Sequence, residues 1–284
     1  MKIDVSVSIV SYNTKDLLAR CIKSVLKNTK TINVEIIVID NASIDGSCEM
    51  VEKKFPKVKL IKNKENKYYG GANNQGLEAA SGKYFLILNA DTYFVDNSIK
   101  KIIDFMKKNK KVGAVEGLEV YTNGSMVITG SLFSSPLIDF YELSFIGKRF
   151  KDQKLIDGYR LTGYGRDDTF EVDVGCDAFL CVRTDILRKI KGYDEKLLLF
   201  YTENDLCLRI KKKGYKIMHL GKAKVMHEVS FSTKKIGWRK LDIYYKDLLN
   251  YYIKNGNLGW GTALFLLLKA EELLLKMFRP DTVK

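Results

Sequence analysis

Phe85-Leu86-Ile87-Leu88-Asn89-Ala90-Asp91-Thr92 is the stretch whose reading decides the fold class. A continuous apolar run breaks off into polar residues that include one carboxylate. The run is too short for a helix and has no polar alternate, so it predicts a strand buried on both faces. In an open α/β sheet the carboxyl ends of the strands face the ligand crevice. Asp91 at such an end offers a hard oxygen ligand to a divalent cation or to water. Asp at a strand exit is equally a common turn former, so the rest of the chain must decide between the two.

Upstream, Val5 to Val10 reads as a strand ending in Ser11-Tyr12-Asn13. A helix follows, with Thr14 as N-cap and Leu17, Leu18, Cys21, Ile22 and Val25 at helical spacing. Glu35 to Ile39 is a second strand, running into Asp40-Asn41-Ala42-Ser43, and a helix from about Gly46 to Lys54 comes next. Val58 to Ile61 is a third strand. This alternation begins a parallel doubly wound sheet. Asn13, Asp40, Asn66 and Asp91 then stand at four successive strand exits that face one crevice. The segment Glu65 to Gly76 carries Gly70 and Gly71, which permit close backbone approach and left-handed dihedrals. It opens a helix to about Ala80 whose free N–H groups suit an anion. A further helix, Ser98 to about Asn109, follows the Asp91 strand.

Charge and composition narrow the class. The 284 residues are 46% hydrophobic and 11% aromatic, which is globular, and length allows one large domain or two smaller ones. Five scattered cysteines without zinc-type spacing suit reduced thiols in a cytosolic protein. The net charge is +14, and residues 206–284 hold 17 Lys plus Arg against 6 Asp plus Glu, or +11 of it. Anionic lipid headgroups and phosphorylated small molecules suit such a tail. Confinement of the charge to the tail argues against a nucleic-acid binder, and the missing dinucleotide fingerprint argues against an oxidoreductase. Met1-Lys2-Ile3-Asp4 leads straight into the first strand without a secretory leader, and no apolar run is long enough to span a membrane.

The second half is less regular. Val115 to Val120 and Met126 to Ile128 predict a hairpin about Thr122-Asn123-Gly124. Ser131 to Asp168 shows no period and predicts a long loop, either a segment that orders on binding or a plain surface insertion. Val172 to Arg183 predicts one strand, followed by a helix from about Thr184 to Ile190. Asp177 either faces a ligand or is a solvated strand-end residue. Thr202-Glu203-Asn204-Asp205 opens a helix, with Thr202 as N-cap and Asp205 as capping-box acid. Only two histidines occur. His219 reads as scaffold and His227 as a strand-end site residue. Tyr244 to Tyr252 form an aromatic helix, and Trp260 to about Phe278 a second one. On that second helix Lys269, Glu272 and Lys276 share a face opposite an apolar one. Such a helix either packs on its own domain or lies in a membrane interface.

Ser8 to Asn13, Val38 to Ser43, Asn66 to Gly76 and Leu88 to Thr92 together resemble the successive motifs of family 2 glycosyltransferases. The resemblance runs over roughly residues 3 to 230 and is closest to the rhamnosyltransferase-like branch that builds bacterial and archaeal surface polysaccharides. It implies a GT-A type fold, with a Rossmann-like, mostly parallel sheet flanked by helices and a C-terminal helical extension. Residues 1–232 would form the transferase domain, 1–110 its nucleotide-binding half and 111–232 its acceptor and catalytic half, with 233–284 the extension. The family's Asp-x-Asp metal motif reads Asn89-Ala90-Asp91 here, so one carboxylate is missing. Mg²⁺ or Mn²⁺ would be held by Asp91 and His227, weakly and with help from donor phosphates. Ser11, Asn13, Asp40, Asn66, Asn74 and Asn89 would bind the nucleotide. The family's general base aligns with Glu203, and a shift in register would move it to Asp205.

The resemblance implies an inverting transfer from a nucleotide-diphosphate sugar, dTDP- or UDP-linked, with dTDP-rhamnose one candidate. The acceptor would be a glycan or lipid-linked saccharide, with no nucleic acid involved. The expected location is the cytoplasm or, through the basic C-terminal helices, the inner face of the cell membrane. The alternative is a non-catalytic sugar-nucleotide-binding or scaffold protein of the same fold.

Overall fold

A computed structural model describes residues 2–228 and 239–278. The expected boundary between residues 232 and 233 lies outside the described residues, as does Trp238. The first half alternates as the sequence predicts: β1 (Val5–Ser11), α1 (Lys15–Asn28), β2 (Val34–Asp40), α2 (Ser47–Lys54), β3 (Lys59–Lys62), α3 (Tyr68–Ala79) and β4 (Tyr84–Asn89). Then come β5 (Thr92–Tyr93), α4 (Ser98–Lys108) and β6 (Val112–Val120). Three helices follow, α5 (Pro136–Leu143), α6 (Phe145–Phe150) and α7 (Gln153–Tyr159), before β7 (Thr169–Val172), β8 (Phe179–Arg183) and α8 (Thr184–Lys189). The remainder is α9 (Thr202–Lys212), β9 (Lys216–His227), α10 (Arg239–Lys254) and α11 (Leu258–Phe278).

Among the described residues nine strands form one sheet in the order β3-β2-β1-β4-β8-β6-β9-β5, with β7 also on β9. β3, β2, β1 and β4 are parallel, as are β6 and β9, and β8 runs antiparallel between the two sets. β4 lies near the middle and is buried on both faces. Leu86 and Leu88 join the core against α1 and α4, while Phe85 and Ile87 join the core under α3 and α8. The alternation of strand side chains to opposite faces thus feeds two cores from one continuous apolar run. Gly76 lets α3 lie tight on the sheet, because a Cβ there would meet Ser8 Oγ at 2.6 Å.

Several local expectations need correction. Ser131 to Asp168 is not a loop but holds α5 to α7, begun by Ser135, Ser144 and Asp152, whose side chains accept helix-entry N–H groups. Val172 to Arg183 is not one strand: β7 ends at Val172 on β9, and β8 begins at Phe179 between β4 and β6. The hairpin reduces to the turn and one bridge, Val120 to Met126, with Val127 N donating to Glu119 O at 2.9 Å. Thr202 is the first residue of α9 rather than its cap, which is Tyr201 at φ 58°, and Asp205 makes no capping box. Thr14 does hold the cap position of α1, but its hydroxyl pairs with Ser11 Oγ at 2.9 Å instead of capping. Gly70 and Gly71 are helical rather than left-handed, with Tyr68 beside them at φ 56°, but Gly70 does allow a close approach, since a Cβ there would meet Tyr193 Cβ at 3.2 Å.

Candidate active site

The carboxyl exits of β1 and β2 are laced into one cradle. Asn41 N donates to Ser11 O at 2.8 Å, Asn13 N to Ser43 Oγ at 2.9 Å, and Ile44 N to Asn13 Oδ1 at 2.9 Å. Asn13 and Ala42 are left-handed, at φ 53° and 65°. Such conformations are uncommon outside glycine and collect where the surrounding structure overdetermines them for function. Asp40 Oδ2 accepts from Ser43 N at 2.9 Å, while its buried Oδ1 has no hydrogen-bond partner. An acceptor left unsatisfied there suits an N–H or O–H of an incoming ligand. Asn66 makes a local turn, accepting from Tyr68 N at 2.8 Å. Asn74 faces elsewhere: its carboxamide accepts from Tyr193 N and donates to Tyr193 O and Glu195 Oε1 at 2.8 to 3.0 Å.

Asp91 and His227 meet because the two-residue β5 pairs antiparallel with the end of β9, Thr92 opposite His227. Asp91 Oδ1 lies 3.2 Å from His227 Nε2, and both residues are buried. Glu119 Oε2 holds His227 Nδ1 at 2.6 Å from behind. Burial works against a charge on this imidazole, but the hydrogen bonds to Asp91 and Glu119 outweigh it and carry its pKa up to about 10. A carboxylate behind a histidine is the arrangement that orients a metal-ligating ring. Glu119 reaches only the back of the ring, so the forward donors are Asp91 and His227. Among the described residues no group of three or more His, Cys, Asp or Glu could hold an ion unaided. An ion entering here would displace the Nε2 proton of His227, and one carboxylate and one neutral imidazole then fit a divalent ion that takes its other ligands from phosphate and water. His219 is a scaffold residue, fully buried between Glu116 at 2.8 Å and Arg166 O at 2.9 Å.

Glu203 and Asp205 part company. Asp205 is fully buried, with Oδ2 on Arg209 Nε at 2.7 Å and Oδ1 on Lys254 Nζ at 2.6 Å, so both oxygens are engaged. Glu203 is half-buried and accepts from Thr202 Oγ1 at 3.0 Å. Burial pushes its carboxyl above the usual range. Asp177, just before β8, is pushed up well beyond its usual range by burial and by the charge of Glu203. Its backbone O accepts from Tyr69 OH at 2.9 Å, and Tyr193 OH donates to its carboxylate at 3.3 Å. The Tyr69 hydroxyl also stands 3.2 Å from Asn89 Oδ1, two residues from Asp91. Asp177 is thus linked through Tyr69 to Asn89 and lies within electrostatic reach of Glu203.

The turn that delivers Glu203 is held from outside the sheet. Asp247 of α10 accepts the N–H groups of Leu198, Leu199 and Phe200 at 2.9 to 3.1 Å. Left-handed Tyr201 stacks on Tyr251 of the same helix, with ring centroids 5.1 Å apart. Glu119, Tyr69 and Asp247 were not among the residues expected in the site. Glu119 left a signal, a second carboxylate in an apolar strand, since a buried acid demands a partner.

The fold and this edge of the sheet define a GT-A type α/β protein. The chain belongs to glycosyl transferase family 2, whose family model matches residues 6–162. It is 34% identical over 137 residues to the Escherichia coli UDP-Glc:alpha-D-GlcNAc-diphosphoundecaprenol beta-1,3-glucosyltransferase WfaP, covering 48% of this chain and 53% of that one. It is 23% identical over 267 residues to the Mycobacterium tuberculosis N-acetylglucosaminyl-diphospho-decaprenol L-rhamnosyltransferase, covering 89% of this chain and 85% of that one. The chain thus spans about half the length of WfaP and nearly all of the rhamnosyltransferase. The mannosyltransferase PcManGT from Pyrobaculum calidifontis, solved with GDP-Man and Mn²⁺, superposes with a TM-score of 0.58 at 14% identity, over 99% of this chain and 82% of that one. At that identity the likeness is one of fold.

Proposed function

We propose that this protein is an inverting glycosyltransferase that moves a sugar from a nucleotide-diphosphate donor to a hydroxyl of a lipid-linked saccharide in surface polysaccharide synthesis. The observation that carries the reading is the division of labour at one sheet edge. Asp91 and His227 meet where β5 pairs with the end of β9, and Glu203, within electrostatic reach of Asp177, stands in the first turn of α9 with a raised pKa. The cradle of Ser11, Asn13 and Asp40 receives the nucleoside, and Asp40 Oδ1 is the acceptor left for it. Asp91 and His227 would hold Mg²⁺ or Mn²⁺, which supplies neutralising charge to the leaving diphosphate. Glu203 takes the proton of the acceptor hydroxyl as its oxygen bonds the anomeric carbon. The bond from that carbon to the diphosphate breaks on the opposite face, so the configuration inverts. The relatives' names support a polyprenyl-diphosphate-linked acceptor and differ in donor sugar. UDP and dTDP sugars, dTDP-rhamnose among them, are the donors to try first. No helix among the described residues is long and apolar enough to cross a membrane.

Thermal shift with UDP, dTDP and GDP, each with and without Mn²⁺ or Mg²⁺, tests the donor site. Nucleotide at about 100 times its Kd adds about 2.7 kcal/mol and raises Tm by roughly 5 °C. The expected result is a rise with one nucleotide that grows with metal and is lost in Asp91→Ala. No rise with any nucleotide would overturn the reading.

A further inference from the structure

Four strands carry the candidate active site at one end and a second concavity at the other. Asn89 ends β4, Asp177 lies just before β8, and Glu119 and His227 lie near the ends of β6 and β9. At the opposite ends Lys83 precedes β4, Lys110 precedes β6, Tyr215 precedes β9, and Arg183 ends the antiparallel β8. These residues, with Asp185 and Arg188 of α8, line a cavity of about 660 Å³. At about 3.3 Å per residue, β4 alone puts roughly 20 Å between Lys83 and Asn89, so this cavity is no part of the donor cradle.

The lining holds four cations against one acid, and that acid, Asp185, lies 3.8 Å from Lys189. Among the described residues no carboxylate pairs with Lys83, Lys110, Arg183 or Arg188. Arg183 is only 9% exposed. Its Nε donates to Val112 O at 2.8 Å, and its Nη2 donates to Met106 O at 2.7 Å and Asn109 O at 3.2 Å. The guanidinium stands 5.7 Å from the centre of the Tyr84 ring, and so does the Lys83 ammonium. These neutral partners solvate Arg183 and close the end of α4 without balancing its charge, and arginine is rarely buried without a counter-charge. Capping α4 also leaves the other three cations unexplained. Arg188 donates to Ala80 O at 2.6 Å, and Lys83 and Lys110 are exposed. Like charges gathered round one concavity raise the local concentration of anions.

We propose that this cavity is a second anion site, which binds a small molecule carrying a diphosphate group and is separate from the donor cradle. Guanidinium forks match phosphate oxygens, and lysines add point charge. A surplus of three positive charges suits two linked phosphates better than one. The volume falls in the range of small-ligand pockets, about 300–1,000 Å³, and exceeds what the phosphates alone would fill. The half-buried ring of Tyr215 is the surface left for the organic part of the ligand.

Calorimetric titration of inorganic diphosphate into the full chain, without metal and in about 0.15 M salt to screen distant charges, tests it. Binding is expected, and it should persist in Asp91→Ala, which disables the proposed donor site. K83E/R188E should weaken it by at least about tenfold, the loss expected when one charge-assisted hydrogen bond is removed. Lys110→Glu, on a separate element, should weaken it as well. K148E/R149E on α6 changes the net charge by the same amount away from the cavity, and should leave the affinity within about twofold. No binding by the wild type, binding lost in Asp91→Ala, binding undiminished in both K83E/R188E and Lys110→Glu, or equal weakening by K148E/R149E would each overturn the site. None of these results touches the transferase reading, which rests on the other end of the strands.

Discussion

Glu203 and Asp177 are two carboxyls in one partly desolvated corner, and they cannot both ionise readily. Burial raises Glu203, and burial and the charge of Glu203 raise Asp177. A base must be ionised to accept a proton. Activity should therefore fall as pH drops through the raised pKa of Glu203, with the acidic limb of kcat/KM above the pH of an ordinary glutamate. A limb at or below that value would contradict the assignment. Glu203→Gln removes the base and should lower kcat by about 10²–10⁴-fold with the nucleotide thermal shift intact. Asp177→Asn keeps the shape of the side chain and should keep kcat within about tenfold. If the two variants exchange these outcomes in steady-state assays, Asp177 is the base.

At the scale of the elements, α10 does for the base what β5 does for Asp91. Asp247 gathers three consecutive backbone N–H groups and so fixes the turn into left-handed Tyr201, one step before α9. Asp247→Ala orphans those donors and should lower stability by about 2–3 kcal/mol, read as a fall in the denaturation midpoint. It should also depress kcat more than it raises KM, since the base moves while the donor cradle does not. An unchanged kcat would show that the turn holds itself. Little of this was legible in the sequence, because Asp247 lies 47 residues from Phe200 and carries no local signal. β1 to β4 and their helices were legible, since their apolar runs and periods need no long-range information. α5 to α7 are six to eight residues each, too short for a period to show, although Ser135-Pro136, Ser144 and Asp152 were readable helix starts. Glu119 could be flagged but not placed. β9 slips against β6 between Gly117 and Leu118, so that Glu119 pairs with Val225 and His227 becomes its diagonal neighbour.

Among the described residues two cores pack against the sheet and a third lies beside it. Leu197 and Tyr201 belong to that third core, packed with Tyr245, Leu248, Tyr251 and Tyr252 of α10 and Leu264 and Leu268 of α11. The C-terminal helices thus share a hydrophobic cluster with the segment that leads to Glu203, and Lys254 adds ion pairs to Asp194 and Asp205 at 2.6 Å. The donor cradle is built apart from these helices, its bonds running among residues 11–15 and 40–45 and, through Asn41, to Asn63, Lys67 and Tyr68. Removing residues 239–284 should therefore separate two properties that the intact chain joins. The truncated chain keeps the two sheet cores, so its circular dichroism should retain the strand signal and its thermal shift with nucleotide should persist. The loss of Asp247, Tyr251 and Lys254 frees the 197–203 segment, and turnover should drop by at least about 10²-fold, the contribution of a positioned base. Nucleotide binding lost along with turnover would mean that the sheet itself depends on α10 and α11. Turnover retained would mean that the segment before Glu203 is ordered by the sheet alone, and that the C-terminal helices have no part in placing the base.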